Sequence, residues 1–118
     1  MTTGPVLACL LAPTKADEVL RRGFDEAQRR ATPLRLLVAE PATADLDSLS
    51  EVIERWSEKY TDVALTVSAR PRLDAAIALT AAAHDCGLVI VAEPGDARTA
   101  AVVRAAARRM RCPLIVVR

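Results

Sequence analysis

The stretch Cys86–Arg118, CGLVIVAEPGDARTAAVVRAAARRMRCPLIVVR, decides the fold of this chain. It opens with an apolar run, Gly87–Val91, and closes with another, Cys112–Arg118. Between them lie a turn at Ala92–Asp96 and an Ala/Arg-rich segment that predicts a helix. Two apolar strands joined by about 20 residues that hold a helix make a βαβ unit, in which the strands are parallel.

The same unit repeats upstream. Further strands are predicted at Val6–Ala12, Pro33–Ala39 and Val63–Ala69, each followed by an amphipathic helix. The alternation β-α-β-α-β-α-β-α-β predicts one domain over residues 1–118, an α/β fold built as a three-layer α/β/α sandwich with right-handed crossovers. The helix stripes expected to face the sheet are Ala16, Val19, Leu20, Gly23, Phe24 and Ala27; then Leu49, Val52, Ile53, Trp56 and Tyr60; then Leu73, Ala76, Ile77, Thr80, Ala81 and His84.

Hydrophobic patterning also predicts the strand order. Val6–Ala12 is apolar almost throughout, which indicates a central strand covered on both faces. Val63–Ala69 alternates, which indicates an edge strand. The five-stranded parallel sheet is therefore predicted in the order 3-2-1-4-5. Ligands of such sheets bind beyond the carboxyl ends of the strands where the order reverses, here between the loops Ala12–Lys15 and Ala92–Arg98.

Composition narrows the class of protein. Of 118 residues, 52% are apolar and 3% aromatic, which indicates an aliphatic core. The 16 basic and 15 acidic residues give a net charge of +1, which argues against nucleic-acid binding by general electrostatics. The amino end has the pattern of neither a signal peptide nor a membrane span, so we expect a cytoplasmic protein without a membrane partner. Cys9, Cys86 and Cys112 are widely spaced, which suggests no disulfide or zinc site and a buried role for Cys9.

Several local features have structural interpretations. Gly23 interrupts a helix stripe, which indicates a close contact between helix and sheet. Ser48-x-x-Glu51 fits a capping box at the start of the second helix. His84 is expected to pack or to cap the end of the third helix rather than to act as a ligand or base. A basic stripe on helix 4 is expected to be a solvated face, the alternative being contact with nucleic acid or an acidic partner; it comprises Arg104, Arg108 and Arg111.

Motifs of catalysis are missing from the sequence. Neither GxxxxGK[ST] nor GxGxxG occurs, and no Ser/His/acid or Cys/His set can be assembled. The first strand ends in Leu11-Ala12-Pro13 without the aspartate of a phospho-accepting receiver domain. We therefore expect no enzyme. Three carboxylates follow strands at the same sheet edge and are expected to be loop and cap residues, although a divalent cation is the alternative; they are Glu40, Glu93 and Asp96.

Four segments resemble the universal stress protein (UspA-like) family, over essentially the whole chain. Cys112–Val117 resembles the family's closing CPVLVV, and Gly87–Val91 resembles its DLIVVG strand. Arg70–Ile77 resembles the opening of its third helix, and Val6–Ala27 runs in step with its first strand and helix. The resemblance implies the fold shared with the adenine nucleotide alpha hydrolases, a role in stress response, and a homodimer through the C-terminal strand.

Departures from the family pattern fall on its nucleotide site. In the family that this chain resembles, that site has the motif Gly-x-x-Gly after strand 4, followed by Gly-Ser/Thr at the start of helix 4. Here Ala92 stands at the first glycine, Gly95 at the second, and Ala100-Ala101 at the Gly-Ser pair. Asp96 is placed to cap helix 4, where it occupies the N–H groups that a phosphate needs. The expected cofactor is none; ATP binding is the alternative.

These observations predict a non-enzymatic, dimeric binding or signalling module of stress response that lacks conventional ATP binding. The alternative is a nucleotide-binding (ATP/AMP) universal stress protein with an altered phosphate loop. Strand 113–117 is expected to form the homodimer because it is an apolar sheet edge. A small ligand or a protein is a further candidate partner, and no metal is expected. The residues expected to line the crevice are Ala12, Pro13, Val38, Ala92, Gly95, Arg98 and Thr99.

Overall fold

The computed structural model describes residues 4–11, 15–39, 46–70 and 74–118. Strands and helices alternate along the chain, and the strands form one parallel sheet in the order β3-β2-β1-β4-β5. The predicted α/β class and strand order are therefore confirmed. The elements are β1 (Val6–Leu10), α1 (Ala16–Arg30), β2 (Leu34–Ala39), α2 (Leu46–Lys59), β3 (Leu65–Arg70), α3 (Ala75–Ala83), β4 (Leu88–Ala92), α4 (Ala97–Ala107) and β5 (Leu114–Val117).

The core has two halves, one on each face of the sheet. Val6, Ala8 and Leu10 of β1 face the cluster formed with α1 and α2. Leu7 and Cys9 face the cluster formed with α3 and α4. Because successive strand residues point to opposite faces, a strand that is buried throughout must lie between two helical layers. This is why the continuous apolar run became the central strand.

Gly23 marks the closest approach of α1 to the sheet. A Cβ atom at this position would lie 3.2 Å from Ala8 Cβ and 3.3 Å from Leu34 Cδ1. Both distances are shorter than ordinary van der Waals contact, so a larger side chain would push α1 away from β1 and β2. The predicted close contact between helix and sheet is confirmed.

Two predictions about the helices are wrong. Helix α2 begins at Leu46, so Ser48 lies inside it and does not form the predicted capping box. Helix α3 buries Ala78, Leu79 and Ala83 rather than the predicted stripe, and Ile77 is 56% exposed. The sequence of α3, AAIALTAAA, is apolar at nearly every position. Several stripes therefore fit the helical period equally well, and packing alone selects the buried one.

The polar ends of α3 and α4 are solvated. His84 is exposed and holds the C-cap position of α3, where its N–H donates to Ala81 O at 3.3 Å. Arg104, Arg108 and Arg111 are all exposed, as a solvated surface requires. However, Arg108 is the C-cap of α4 and Arg111 lies beyond the helix, so the three do not share one helical face.

Within residues 4–11, 15–39, 46–70 and 74–118, no helix has both the length and the apolar character needed to cross a bilayer.

Helix α1 ends in a left-handed residue that is not glycine. Ala31 has φ 52° and ψ 44°, and the cap is closed by Ala31 N–H to Gln28 O and Thr32 N–H to Ala27 O at 3.2 and 3.0 Å. This conformation is unfavourable for any residue with a Cβ. We expect Ala31→Gly to raise the free energy of unfolding by about 1 kcal/mol in urea denaturation.

The matched control for Ala31→Gly is Ala105→Gly, an exposed site inside α4. There the same substitution should lower stability by about 1 kcal/mol, because glycine loses more backbone entropy in a helix. A loss of stability in both variants would contradict the left-handed cap at Ala31.

Candidate functional site

The candidate crevice lies where β1 and β4 run side by side. From β1 the chain winds outward through β2 and β3, and from β4 it winds outward through β5, so the connections diverge at this point. Divergence opens a cleft at the carboxyl ends of the two strands. Its described borders are Leu11 after β1, Lys15 before α1, and the segment Ala92–Asp96, which runs from the last residue of β4 to the start of α4.

The structure brings four of the seven predicted crevice residues into one segment. Ala92 is the last residue of β4 and is half-buried, whereas Gly95 and Arg98 are exposed and Thr99 is partly buried. Val38 is fully buried in the core cluster that faces α1, so its side chain is closed off from the crevice. Ala12 and Pro13 lie outside the described residues.

Asp96 caps the start of α4, as predicted. Its carboxylate accepts a hydrogen bond from Thr99 N–H at 2.7 Å and from the Thr99 hydroxyl at 3.0 Å. The bond from the Thr99 N–H, followed by that from its hydroxyl, holds the pKa of Asp96 below the ordinary value of 3.8. A carboxyl with a lowered pKa stabilises the fold above its ordinary pKa, and this contribution is lost as the pH falls through the lowered value. The cap is thus charged at neutral pH.

Gly95 is the second glycine of the resembled phosphate loop. A Cβ atom at Gly95 would meet nothing within 4 Å. Among the described glycines none has a positive φ, so Gly95 also adopts a backbone conformation open to other residues. Nothing in the described packing therefore requires a glycine at this position.

The carboxylates at the crevice do not form a metal site in the described part of the chain. No group of three potential metal ligands occurs there. Glu93 is exposed, and its N–H donates to Val117 O at 2.7 Å, which ties the start of the loop to β5. Asp96 is engaged with Thr99, and Glu40 lies outside the described residues.

The cysteines are kept protonated. Cys9 and Cys86 are buried, and burial raises the pKa of Cys9 and raises that of Cys86 to about 11. Burial also raises the pKa of Cys112, which is only half-buried. Because the thiolate is the nucleophile and the metal ligand, these raised pKa values lower the thiolate fraction of all three cysteines at neutral pH. Cys9 is a buried core residue, as predicted.

An ion pair at the opposite end of the sheet was not among the predicted features. Arg35 Nη1 and Nη2 donate to the two carboxylate oxygens of Asp85 at 2.6 and 3.1 Å. The two residues are 50 positions apart, so no local motif signals the pair. The strand order brings the two residues within reach of each other. Arg35 lies near the start of β2, Asp85 lies just before β4, and only β1 stands between these two strands.

Comparisons with known proteins connect this geometry to solved structures. No family model and no curated protein matches the sequence. A universal stress protein in complex with cAMP superposes with a TM-score of 0.74 at 13% identity, covering 99% of this chain and 98% of that chain. One from Archaeoglobus fulgidus in complex with dAMP gives a TM-score of 0.68 at 16% identity, with both chains fully covered.

A third structure, from the universal stress protein family of Burkholderia pseudomallei, gives a TM-score of 0.62 at 18% identity and covers 98% of this chain and 96% of that chain. The three structures match this chain almost from end to end, at identities that establish the fold alone. The chain has the universal stress protein fold.

Proposed function

We propose that this chain is a non-enzymatic, dimeric binding or signalling module that does not bind ATP in the conventional way. The observation that carries the proposal is the Asp96 cap at the start of α4. A nucleotide phosphate at a helix start is held by free N–H groups and by the positive end of the helix dipole. In this chain the carboxylate of Asp96 takes the Thr99 N–H at 2.7 Å and places a negative charge at that position.

Two further features support this proposal. The Thr99 hydroxyl, a natural partner for phosphate, donates to Asp96 at 3.0 Å. Ala100 and Ala101, which stand where the resembled motif has Gly-Ser, offer no hydroxyl. The N–H and the hydroxyl of Thr99 are thus engaged by the cap.

Calorimetry with ATP and magnesium tests the proposal. We expect the unmodified protein to show no binding in the micromolar range. Asp96→Ser keeps a good N-cap residue but removes the charge, so this variant should bind ATP more tightly than the unmodified protein. Asp62→Asn is the matched control, because Asp62 is an exposed carboxylate in the turn before β3, at the other end of the sheet. It should leave the result unchanged.

Micromolar affinity of the unmodified protein for ATP would overturn the proposal. Equal effects of Asp96→Ser and Asp62→Asn would show that the overall charge, and not the cap, governs the response to the nucleotide.

The second candidate function is nucleotide binding through an altered loop. It is favoured by the two structural neighbours that hold cAMP and dAMP, since both superpose on this chain over almost their whole length. In this case the open space above Gly95 would admit the nucleotide. Titration with AMP and cAMP beside ATP distinguishes the two functions, because only this candidate predicts saturable binding of a mononucleotide by the unmodified protein.

The dimer in this proposal is formed by β5. Strand β5 is the last strand of the sheet, and Val116 is 43% exposed. An apolar edge strand presents unpaired backbone groups that a second strand can satisfy. Antiparallel pairing of two β5 strands about a two-fold axis would join the sheets of two protomers.

A further inference from the structure

A groove of about 500 Å³ lies between α3 and the strands β2 and β3. We call it the α3 groove. The Arg35–Asp85 pair stands at its amino end, because Arg35 is the second residue of β2 and Asp85 precedes β4. The candidate crevice beside β4 and α4, which we call the β4–α4 crevice, opens at the carboxyl ends of the strands. The α3 groove is therefore a separate site.

The floor of the α3 groove follows from the strand register. Leu7 of β1 pairs with Arg35 of β2, and Arg35 pairs with Thr66 of β3. Two residues further along the strands, on the same face, Leu37 pairs with Ser68. Paired residues of a parallel sheet present their side chains on the same face. The floor is thus apolar at its centre and carries hydroxyl groups toward the sheet edge.

The space exists because α3 carries small side chains and packs over β1 and β2. Ala78, Ala81 and Ala82 form the helical wall of the groove. On the other side, Thr66 is exposed and Ser68 is half-buried. Methyl groups do not reach far enough to fill the space between helix and strand. An apolar cavity of this volume with a few convergent polar groups is typical of a small-molecule site.

The Arg35–Asp85 pair provides a charged group, the Arg35 guanidinium, that can bind the carboxylate of a ligand. Both side chains are solvent-accessible, at 42% and 60% exposure, so the pair is screened by water. The guanidinium holds the Asp85 carboxylate by two parallel bonds, a geometry that matches any free carboxylate equally well. A ligand whose carboxylate reaches Arg35 while its hydrocarbon part enters the groove gains apolar burial that Asp85 cannot supply.

We propose that the α3 groove binds small monocarboxylic acids with an apolar body. The ligand carboxylate takes the place of Asp85 on Arg35, and the hydrocarbon lies over Leu7 and Leu37, against the alanines of α3. Thr66 and Ser68 border the open side, where a polar substituent of the ligand can hydrogen-bond. Asp85 holds the guanidinium in position while the groove is empty.

Titration of the full chain with sodium octanoate, followed by backbone amide NMR, tests the proposal. Octanamide is the matched neutral probe, with the same hydrocarbon and no charge. We expect octanoate to shift the amides around Leu37, Ser68 and Ala82, and octanamide to bind at least about tenfold more weakly. Asp85→Asn frees Arg35 and should tighten octanoate binding about threefold or more.

Three further variants complete the test. Arg35→Met should weaken octanoate binding about tenfold or more and leave octanamide unchanged. Ala81→Phe, at an exposed position of the groove wall, should abolish binding of both probes by filling the space. Arg104→Met removes an exposed arginine of α4 and should change nothing. Circular dichroism melting confirms that each variant is folded.

The proposal is overturned if octanamide binds as well as octanoate, if Asp85→Asn binds octanoate no more tightly, or if the shifted amides lie at the β4–α4 crevice. The comparison of the two probes on the unmodified protein needs no variant, so it stands even where Arg35→Met fails to fold.

Discussion

Replacing Phe24 by alanine is expected to lower the free energy of unfolding by about 4 kcal/mol, a large part of the stability of a domain this size. Phe24 is fully buried in α1. Its ring stacks on Tyr60, with centroids 5.3 Å apart and an interplanar angle of 18°. Truncation would leave a cavity beside the Tyr60 ring, which also packs against Trp56 with ring centroids 6.4 Å apart. Urea denaturation measures the loss.

The matched control is Ile77→Ala in α3. Ile77 is 56% exposed, so its truncation should change stability by no more than about 0.5 kcal/mol. This variant also separates the two assignments of the buried face of α3, because the helical stripe predicted from the sequence placed Ile77 in the core. A large loss at Ile77, or a loss below about 1 kcal/mol at Phe24, would contradict the observed packing.

The second large effect is expected at the dimer edge. Pro113 O, just before β5, accepts a bond from Val89 N–H of β4, and Val117 O of β5 accepts one from Glu93 N–H, just after β4. Backbone groups alternate in direction along a strand, so Ile115 also faces β4 while Leu114 and Val116 face the open edge. Val116→Pro removes an N–H from that edge and leaves the ladder to β4 intact.

Two-fold symmetry doubles the effect of Val116→Pro, since each protomer loses one bond of about 1 kcal/mol. We expect dimerisation to weaken about thirtyfold or more in sedimentation equilibrium, with little change in the fold of the monomer. The matched control, Ile115→Pro, interrupts the bonds to β4 and should instead destabilise the protomer.

Sedimentation of the unmodified protein comes first in this series. A monomer at a concentration on the order of tens of micromolar would end the hypothesis of a β5 dimer. A dimer that Val116→Pro leaves intact would place the interface elsewhere on the molecule.

The sheet could be predicted from the sequence because burial on one or two faces leaves a direct mark on strand residues. The uninterrupted apolar run of β1 required helices on both sides, and the alternation in β3 required an edge. The capping role of Asp96 could also be predicted, since an N-cap is a local interaction within a few residues. Chain topology and the Asp96 cap are thus encoded in the pattern, whereas the capping-box pattern at Ser48 was misleading because α2 begins at Leu46.

Other features depend on contacts that no local pattern encodes. The buried face of α3 is ambiguous in a helix that is mostly alanine, and only packing against β1 and β2 selects it. Val38 lies next to the carboxyl end of β2, where crevice residues are expected, but the side-chain direction set by the pleat buries it toward α1. The α3 groove arises from residues on four separate elements, among them Arg35 and Ala81.

The carboxylate that caps α4 also acts as a permanently attached competitor for any anion. Asp96 is joined to the helix it caps, so its oxygens face the Thr99 N–H at an effective concentration on the order of millimolar or above. A free anion with the same intrinsic affinity for this N–H has to exceed that level before it displaces the cap from half of the molecules. The contact that starts the helix is therefore also expected to reduce the apparent affinity of soluble anions for this N–H.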